Sequence, residues 1–240
     1  MKINVITLCS GYDSQCMALQ RIKENYPEFD FELIAWSEID KYAIQAHDAV
    51  FPEWADRNIG DMTKYDWSQI KEPIDLLVYS TPCQDVSSSG KQKGIEKGSG
   101  TRSSILWYTE DAIRILRPKY LLMENVSALV SEKFRPFYIQ WEQTVASYGY
   151  TNYGKLLNAK DYGVPQNRER IFMVSIHNED KSYYWPEPME LDKRLKDMLE
   201  TDVDEKYYLS DKAISGFIEH RKRMEERGNG FGFKPTEGGV

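Results

Sequence analysis

Short apolar runs alternate with amphipathic stretches along the first 177 residues of the chain. The apolar runs predict strands at residues 3–8, 31–36, 75–79, 119–123, 153–157 and 171–176. Between them, apolar positions recur about every 3.6 residues, which predicts helices at residues 13–25, 41–50, 103–116 and 137–148. Strand–helix alternation of this kind is typical of an α/β fold, in which helices cover both faces of a mainly parallel sheet.

The pattern changes after residue 177. Residues 183–188, Tyr-Tyr-Trp-Pro-Glu-Pro, are rich in turn formers and predict a linker. Further helices are predicted at residues 191–199 and 211–227, and residues 230–240 are rich in glycine and proline. We therefore expect one domain over residues 1–177, followed by a linker and the start of a second region over residues 178–240.

The composition, 41% hydrophobic and 29% charged, is that of an ordinary globular protein. No apolar run approaches the roughly 18 residues that suggest a membrane span, and the N-terminal run turns polar at Ser10, too early for a secretory signal. The three cysteines, Cys9, Cys16 and Cys83, make neither a disulfide framework nor a Cys-x-x-Cys pair for zinc. We therefore expect a cytoplasmic protein with free thiols, no membrane contact and no metal.

The net charge of −7 argues mildly against a nucleic-acid partner, because phosphate binding requires a basic surface. A groove can nevertheless be locally basic on an acidic protein. One short basic stretch contains Lys91, Lys93, Lys97 and Arg102, and a second contains Arg168 and Arg170. On charge alone, either stretch is more simply a solvated face.

Two chemically distinctive residues follow predicted strands. Ligands of parallel α/β sheets bind beyond the carboxyl ends of the strands, and Cys83 lies in such a loop, behind Pro82. An isolated cysteine is more often a small buried residue than a nucleophile. Glu124 ends the fourth predicted strand, where a carboxylate either caps the next helix or lies at the same rim as the thiol. A thiolate and a carboxylate at one rim suit nucleophilic attack with acid assistance.

Arg168 and Arg170 precede the sixth predicted strand. In an extended segment, residues two apart share one face, so both guanidinium groups would point the same way. Alternatively, they are surface arginines paired with Glu169 or Asp161.

A possible nucleoside pocket follows the first two strands. The loop from Leu8 to Ser14 contains Gly11, Glu38 ends the second strand, and Asp61 follows a glycine. A glycine turn and an acidic residue for ribose hydroxyls are features of nucleotide-binding sheets. A single glycine is a weak signal, because most such turns are only turns.

The order of these motifs resembles the DNA cytosine-C5 methyltransferase family. Ser80-Thr-Pro-Cys-Gln, Met123-Glu-Asn-Val and Tyr162-Gly-Val-Pro-Gln-Asn-Arg-Glu-Arg are similar to its Pro-Cys-Gln, Glu-Asn-Val and Gln-x-Arg-x-Arg signatures. Ser89-Gly-Lys-Gln-Lys-Gly resembles the loop that follows the family's catalytic cysteine. The resemblance runs from about residue 3 to residue 176 and implies a Rossmann-like, S-adenosylmethionine (SAM)-dependent methyltransferase sheet.

The resemblance also implies a cofactor site without a metal. Glu38 would accept hydrogen bonds from both ribose hydroxyls of SAM, and Asp61 would accept one from the adenine amino group. The full predicted set of cofactor-binding residues is Cys9, Ser10, Gly11, Tyr12, Glu38, Ile39, Asp61, Met62 and Pro82.

The implied substrate is cytosine in double-stranded DNA, which must be flipped out because its C6 is shielded in the stack. Cys83 would attack C6, and Glu124 would hold or protonate N3. Arg168 would hold the flipped base or its phosphate through its donor fork, with Arg170 in support.

The sequence departs from the family in three places. Asp13 replaces a glycine of the first signature, which puts the contacts to the methionine moiety in question. Ile39 replaces the usual aromatic residue beside the ribose carboxylate. The family's closing motifs are not recognisable after residue 176. We therefore expect an incomplete target recognition region, completed by a C-terminal segment or another chain, and no DNA methylation by these 240 residues alone.

Two alternatives stay open. A branch of the family methylates cytosine in transfer RNA, although the Asp-Val-Ser-Ser that follows Pro-Cys-Gln here differs from that branch's Pro-Phe-Thr. The chain could also be a remnant that binds SAM without methylating; retention of Cys83, Glu124 and Arg168 argues against this. The motifs predict no recognition sequence and no biological role.

Overall fold

The computed structural model describes residues 1–82, 95–96, 98–178 and 182–228. Within that part, the strands are β1 (Lys2–Leu8), β2 (Asp30–Ser37), β3 (Leu76–Tyr79), β4 (Tyr120–Val126), β5 (Tyr150–Asn158) and β6 (Glu169–His177). The α-helices are α1 (Ser14–Asn25), α2 (Lys41–Val50), α3 (Thr109–Leu116), α4 (Arg135–Ser147) and α5 (Asp211–Glu226). Every strand predicted from the apolar runs is confirmed, with ends that shift by up to three residues.

The strands form one sheet in the order β2-β1-β3-β4-β6-β5. β1 pairs in parallel with β2 and β3, and β3 pairs in parallel with β4. β6 runs antiparallel to β4, so the sheet is mainly but not wholly parallel. The chain crosses from β2 back over β1 to reach β3, which makes a switch in strand order between β1 and β3. Open sheets bind ligands at such a switch, beyond the carboxyl ends of the strands.

Helices cover both faces of this sheet, as predicted. Adjacent residues of a strand point to opposite faces, and Val5 packs in a buried cluster with Cys16 of α1. Its neighbour Ile6 packs in a separate cluster with Ile113 of α3 and Trp141 of α4. Two apolar layers on one central strand explain why the predicted strands read as nearly continuous apolar runs.

One predicted helix is wrong and another is shorter than expected. Over residues 191–199 the structure has only a short 3-10 turn, Leu195–Met198, in which no residue is buried. So short a segment does not hold a helix in water without an apolar face packed against the fold. The predicted helix at 103–116 begins as a 3-10 helix, Arg102–Tyr108, and becomes α3 at Thr109.

The described chain forms two compact units. The first contains Met1–Leu157 and Glu169–Pro186, and the second contains Asn158–Arg168 and the described residues from Glu187 onward. Within the second, the Met189 N–H donates to the Asp161 carbonyl at 2.9 Å. The functional division of the chain at residue 177 stays a prediction. Among the described helices, none is long and apolar enough to cross a membrane.

Candidate active site

The loop between β1 and α1 turns sharply at the carboxyl end of the sheet. Cys9, Gly11 and Asp13 all have left-handed backbone conformations, with φ of 54°, 60° and 62°. At Gly11 an added Cβ would meet nothing within 4 Å, so its backbone faces open space. The Gly11 N–H donates to Glu38 Oε2 at 3.0 Å. The loop therefore presents backbone to an open space at the switch in strand order.

Glu38 is held at the end of β2 by backbone donors. Its Oε1 accepts hydrogen bonds from the N–H groups of Ile39 at 2.8 Å and Asp40 at 2.9 Å. Its Oε2 accepts the bond from Gly11. Three N–H groups thus fix the carboxylate and leave about one acceptor position, on Oε2, for another donor, since a carboxylate offers about four such positions.

Asn58 supports Glu38 and was missed by the sequence analysis. Its Oδ1 accepts from the Glu38 N–H at 3.2 Å and from the Gly60 N–H at 2.9 Å. Its Nδ2 donates to the Glu38 carbonyl at 3.1 Å. The one signal in the sequence is an asparagine placed just before the turn at Gly60, a residue type that often bonds backbone groups two residues on.

Asp61 lies beyond that turn with its own partners. Its Oδ1 accepts from the Thr63 hydroxyl at 2.7 Å and the Thr63 N–H at 3.0 Å, and its Oδ2 pairs with Lys64 Nζ at 2.9 Å. The hydrogen bond from the Thr63 hydroxyl, followed by that from Lys64, lowers the pKa of Asp61. The carboxylate is therefore an ionised acceptor at neutral pH.

The other residues that were predicted to bind the cofactor differ in how exposed their side chains are. Tyr12 and Ile39 are 53% and 70% exposed. Ser10 and Met62 are buried, and Met62 Sδ lies 3.8 Å from Cys9 Sγ. The buried members lie inside the fold, whereas the exposed Tyr12 and Ile39 directly follow Gly11 and Glu38, which contact each other.

Neither Cys9 nor Cys16 is suited to nucleophilic attack. Burial, followed by the negative charges of Glu38 and Asp61, raises the pKa of Cys9 to about 12. Burial likewise raises the pKa of Cys16, which is fully buried in α1. The thiolate is the reactive form of cysteine, so both residues are inert thiols at neutral pH.

Cys83 lies outside the described residues, and so do Lys91, Lys93, Lys97 and the loop at residues 89–94. The segment that leads to it is described as far as Pro82. The buried Thr81 is held by Asn125, whose Nδ2 donates to the Thr81 carbonyl at 3.2 Å. Asn125 Oδ1 in turn accepts from the Val126 N–H at 2.9 Å. The asparagine of the Glu-Asn-Val motif thus ties the end of β4 to the entry of the Pro-Cys-Gln loop.

Glu124 forms an ion pair with Arg170 rather than capping a helix. Arg170 Nε lies 3.1 Å from Glu124 Oε1, and both side chains are about a quarter exposed. Glu124 and Val126 are two residues apart on β4 and therefore point to the same face of the sheet. Arg170 of β6 is directly opposite Val126, so its side chain lies on that face as well. The 3-10 turn after β4, Ser127–Val130, has no side-chain cap. The capping alternative for Glu124 is therefore wrong.

The two arginines of the Gln-x-Arg-x-Arg motif differ in their surroundings. Arg168 belongs to the second compact unit, where its N–H donates to Asn158 Oδ1 at 3.0 Å and its side chain is exposed. Arg170 belongs to the first unit and pairs with Glu124. The alternative that Arg170 pairs with Glu169 or Asp161 is wrong, although its Nη1 also donates to the Glu169 carbonyl. The role of Arg168 stays a prediction.

Comparison with known proteins agrees with the motifs. A family model for C-5 cytosine-specific DNA methylases matches residues 3–237. The chain is 42% identical over 159 residues to the type II methyltransferase M2.ScrFI of Lactococcus lactis subsp. cremoris, covering 66% of this chain and 44% of the relative. It is 32% identical over 257 residues to the orphan methyltransferase M.Rho11sI of Bacillus phage rho11s, covering 94% of this chain and 49% of the relative. The chain thus spans about half the length of the curated relatives it matches.

Solved structures confirm the fold. The Entamoeba histolytica methyltransferase EhMeth superimposes with a TM-score of 0.71 over 89% of this chain and 65% of its own, at 20% sequence identity. At that identity the likeness concerns the fold alone. The expected Rossmann-like methyltransferase sheet is therefore confirmed. With a family match over nearly the whole length, the chain belongs to the C-5 cytosine-specific DNA methylase family.

Proposed function

We propose that the protein transfers a methyl group from SAM to C5 of cytosine in double-stranded DNA, through a covalent adduct with Cys83. The observation that carries the proposal is the Glu124–Arg170 pair in a chain of this family. Glu124 is next in sequence to Asn125, which holds the segment entering the Pro-Cys-Gln loop. A carboxylate held by a guanidinium group at the rim of the sheet suits binding of a planar base with alternating donors and acceptors.

The residues present fit SAM. Gly11 has open space where a side chain would lie, Glu38 has an acceptor position left on Oε2 for the ribose, and Asp61 is an ionised acceptor for an amino group. The exposed side chains of Tyr12 and Ile39 offer apolar surface for an adenine ring. Ile39 supplies this contact without aromatic stacking. When bound, SAM supplies the methyl group at its sulfonium centre.

The chain's own residues carry the remaining steps. The target cytosine leaves the duplex at a cost of a few kcal/mol, and the Cys83 thiolate attacks C6 to form a carbon–sulfur bond. Glu124 holds the proton at N3, which neutralises the charge that develops on the ring, and Arg170 keeps the Glu124 carboxyl in place. Arg168 holds the flipped base or its phosphate. After C5 is methylated, loss of the C5 proton and elimination of Cys83 restore the aromatic ring and the thiolate.

Substitution of Glu38 tests the cofactor site. Glu38→Ala is expected to weaken SAM binding by roughly 1.5–3 kcal/mol, the scale of hydrogen bonds to a charged group. The ribose contacts are lost, and the Gly11, Ile39 and Asp40 N–H groups lose their acceptor. Isothermal titration calorimetry measures the effect, with Glu53→Ala, a carboxylate in the turn after α2, as the control. Equal affinity of a folded Glu38→Ala variant and the wild type would remove this role from Glu38.

Transfer of tritiated methyl groups tests the function itself. The product of the complete open reading frame is supplied with labelled SAM and with duplex DNA, a transfer RNA transcript or no nucleic acid, at low salt because phosphate contacts weaken with salt. We expect labelled DNA. Labelled transfer RNA with unlabelled DNA would favour the RNA branch, and SAM binding without any transfer would favour the non-catalytic remnant.

A further inference from the structure

The loop that carries Gly11 is joined to the fold by a buried carboxylate. Asp13 is fully buried and adopts a left-handed conformation, with φ 62° and ψ 60°. Most residues other than glycine disfavour this conformation; aspartate and asparagine adopt it more readily, because their short side chains can hydrogen-bond locally. The contacts of Asp13 therefore show what holds the loop in shape.

Both carboxylate oxygens of Asp13 have partners. Oδ2 accepts a short hydrogen bond of 2.6 Å from the Thr7 hydroxyl, and Oδ1 accepts from the Cys16 N–H at 3.2 Å. The fully buried His47 stacks on Trp36 with ring centroids 3.6 Å apart and places Nε2 3.9 Å from Oδ2. The carboxylate thus connects β1 and the start of α1 and faces α2.

A chain of hydroxyls leads from this carboxylate to the open part of the loop. Thr7 has one hydroxyl proton, and Thr7 donates it to the Asp13 carboxylate. The Ser10 hydroxyl lies 2.9 Å from the Thr7 hydroxyl, 3.1 Å from the Thr7 carbonyl and 3.4 Å from the Ser37 carbonyl, so its one proton is shared among these three acceptors. The Ser10 N–H donates to the Ser37 carbonyl at 3.1 Å, and the next N–H, that of Gly11, donates to Glu38. Asp13 also contacts Ser10 directly, because the Asp13 N–H donates to the Ser10 carbonyl at 2.9 Å. Ser10 is thus joined to Asp13 both directly and through Thr7, and it immediately precedes Gly11, which contacts Glu38.

We propose that Asp13 is a positioning residue for the loop between β1 and α1, which carries Gly11. Its buried carboxylate orients the Thr7 and Ser10 hydroxyls and so holds the Gly11 N–H against Glu38. This inference rests on the proposed function, in which Gly11 and Glu38 bind SAM. Where the family signature has a glycine, Asp13 keeps the left-handed turn and adds hydrogen bonds that glycine cannot make. The departure at residue 13 is thus a different way of fixing the same loop.

Calorimetric titration with SAM, well below the unfolding temperature, tests this role. Asp13→Asn is expected to weaken SAM binding about tenfold or more, because one amide cannot accept from both the Thr7 hydroxyl and the Cys16 N–H without turning a donor toward one of them. Asparagine tolerates the left-handed conformation, so the substitution should leave the backbone at residue 13 unchanged. Thr7→Val should also weaken SAM binding. Thr7→Ser, which keeps the hydroxyl, should bind SAM about as tightly as the wild type.

Asp66→Asn is the matched control. Asp66 also accepts one backbone and one hydroxyl hydrogen bond, from the Ser68 N–H at 3.0 Å and the Ser68 Oγ at 2.7 Å. Its partner Ser68 lies in a separate 3-10 turn, Trp67–Gln69. We expect Asp66→Asn to leave SAM affinity unchanged. Amide hydrogen exchange over residues 9–12 should be faster in Asp13→Asn and Thr7→Val than in the wild type and this control.

The outcomes separate the inference from the proposed function. Unchanged SAM affinity in folded Asp13→Asn and Thr7→Val would overturn the positioning role, even if both variants melt at a lower temperature. If Asp13→Asn does not fold, the nearly isosteric Thr7→Val decides by the same criterion. A wild-type chain that binds no SAM would contradict the proposed function instead. Hydrogen exchange in the same variants would then decide whether Asp13 orders the loop, and unchanged exchange would overturn that as well.

Discussion

Cys83→Ser is expected to abolish the covalent complex that the full protein forms with duplex DNA containing 5-fluorocytosine. Fluorine at C5 cannot leave as a proton does, so the adduct between the enzyme and C6 is trapped and survives denaturing electrophoresis. A serine hydroxyl is far less acidic and less nucleophilic than a thiol. Methyl transfer should fall to background in the same variant.

The other two cysteines make the matched controls for this experiment. Burial keeps Cys9 and Cys16 protonated, since it raises the pKa of both thiols. Cys16→Ser, which lies in α1 and faces the apolar layer, should therefore still form the adduct if it folds. Adduct formation by Cys83→Ser, together with its loss in Cys9→Ser or Cys16→Ser, would show that the nucleophile is assigned to the wrong residue.

Glu124→Gln is expected to lower the rate of methyl transfer by about 10²–10⁴-fold, the usual contribution of a general acid. The amide is nearly isosteric with the carboxyl group but cannot deliver a proton to N3. SAM affinity should stay near the wild-type value, because none of the predicted cofactor ligands lies on β4, the strand that carries Glu124. Single-turnover methyl transfer and calorimetry on the same preparation separate the two effects.

Substitutions of the two arginines test the same role of Glu124 independently. Arg170→Lys removes the Nε donor that lies 3.1 Å from Glu124 Oε1, so it should slow the same step as Glu124→Gln. Arg168→Lys alters an exposed side chain of the other compact unit and should act chiefly on DNA affinity. A Glu124→Gln variant that methylates at the wild-type rate would remove the carboxyl group from the chemistry.

Much of the fold could be predicted because the buried parallel strands are short apolar runs bounded by turns. Hydrophobic period does not encode strand direction, so the antiparallel β6 could not be told from a parallel strand. Residues 191–199 have a helical pattern but no layer to pack against, and the pattern alone predicted a helix there. Local periodicity thus predicted elements well where the sheet buries them and poorly elsewhere.

The residues of the candidate site also differ in whether the sequence alone could predict them. Glu38 and Glu124 could be predicted because both come at the end of a strand, where side chains reach the ligand crevice. The position of Asn58 before the turn at Gly60 indicates only the local bond to the Gly60 N–H; its bonds to the backbone of Glu38, 20 residues away, leave no pattern in the sequence. The preference for Arg170 over Arg168 as the partner of Glu124 depends on the pairing of β4 with β6, a contact between residues distant in sequence.

Bisulfite sequencing of DNA from cells that express the complete open reading frame tests the central claim most directly. The proposed function predicts cytosines that resist conversion within one defined sequence context, and full conversion of the same cytosines in cells that express Cys83→Ser at an equal level. Full conversion in both strains, with the wild-type protein folded and present, would contradict cytosine-C5 methylation of DNA by this protein. Protection that persists with Cys83→Ser would contradict the covalent mechanism.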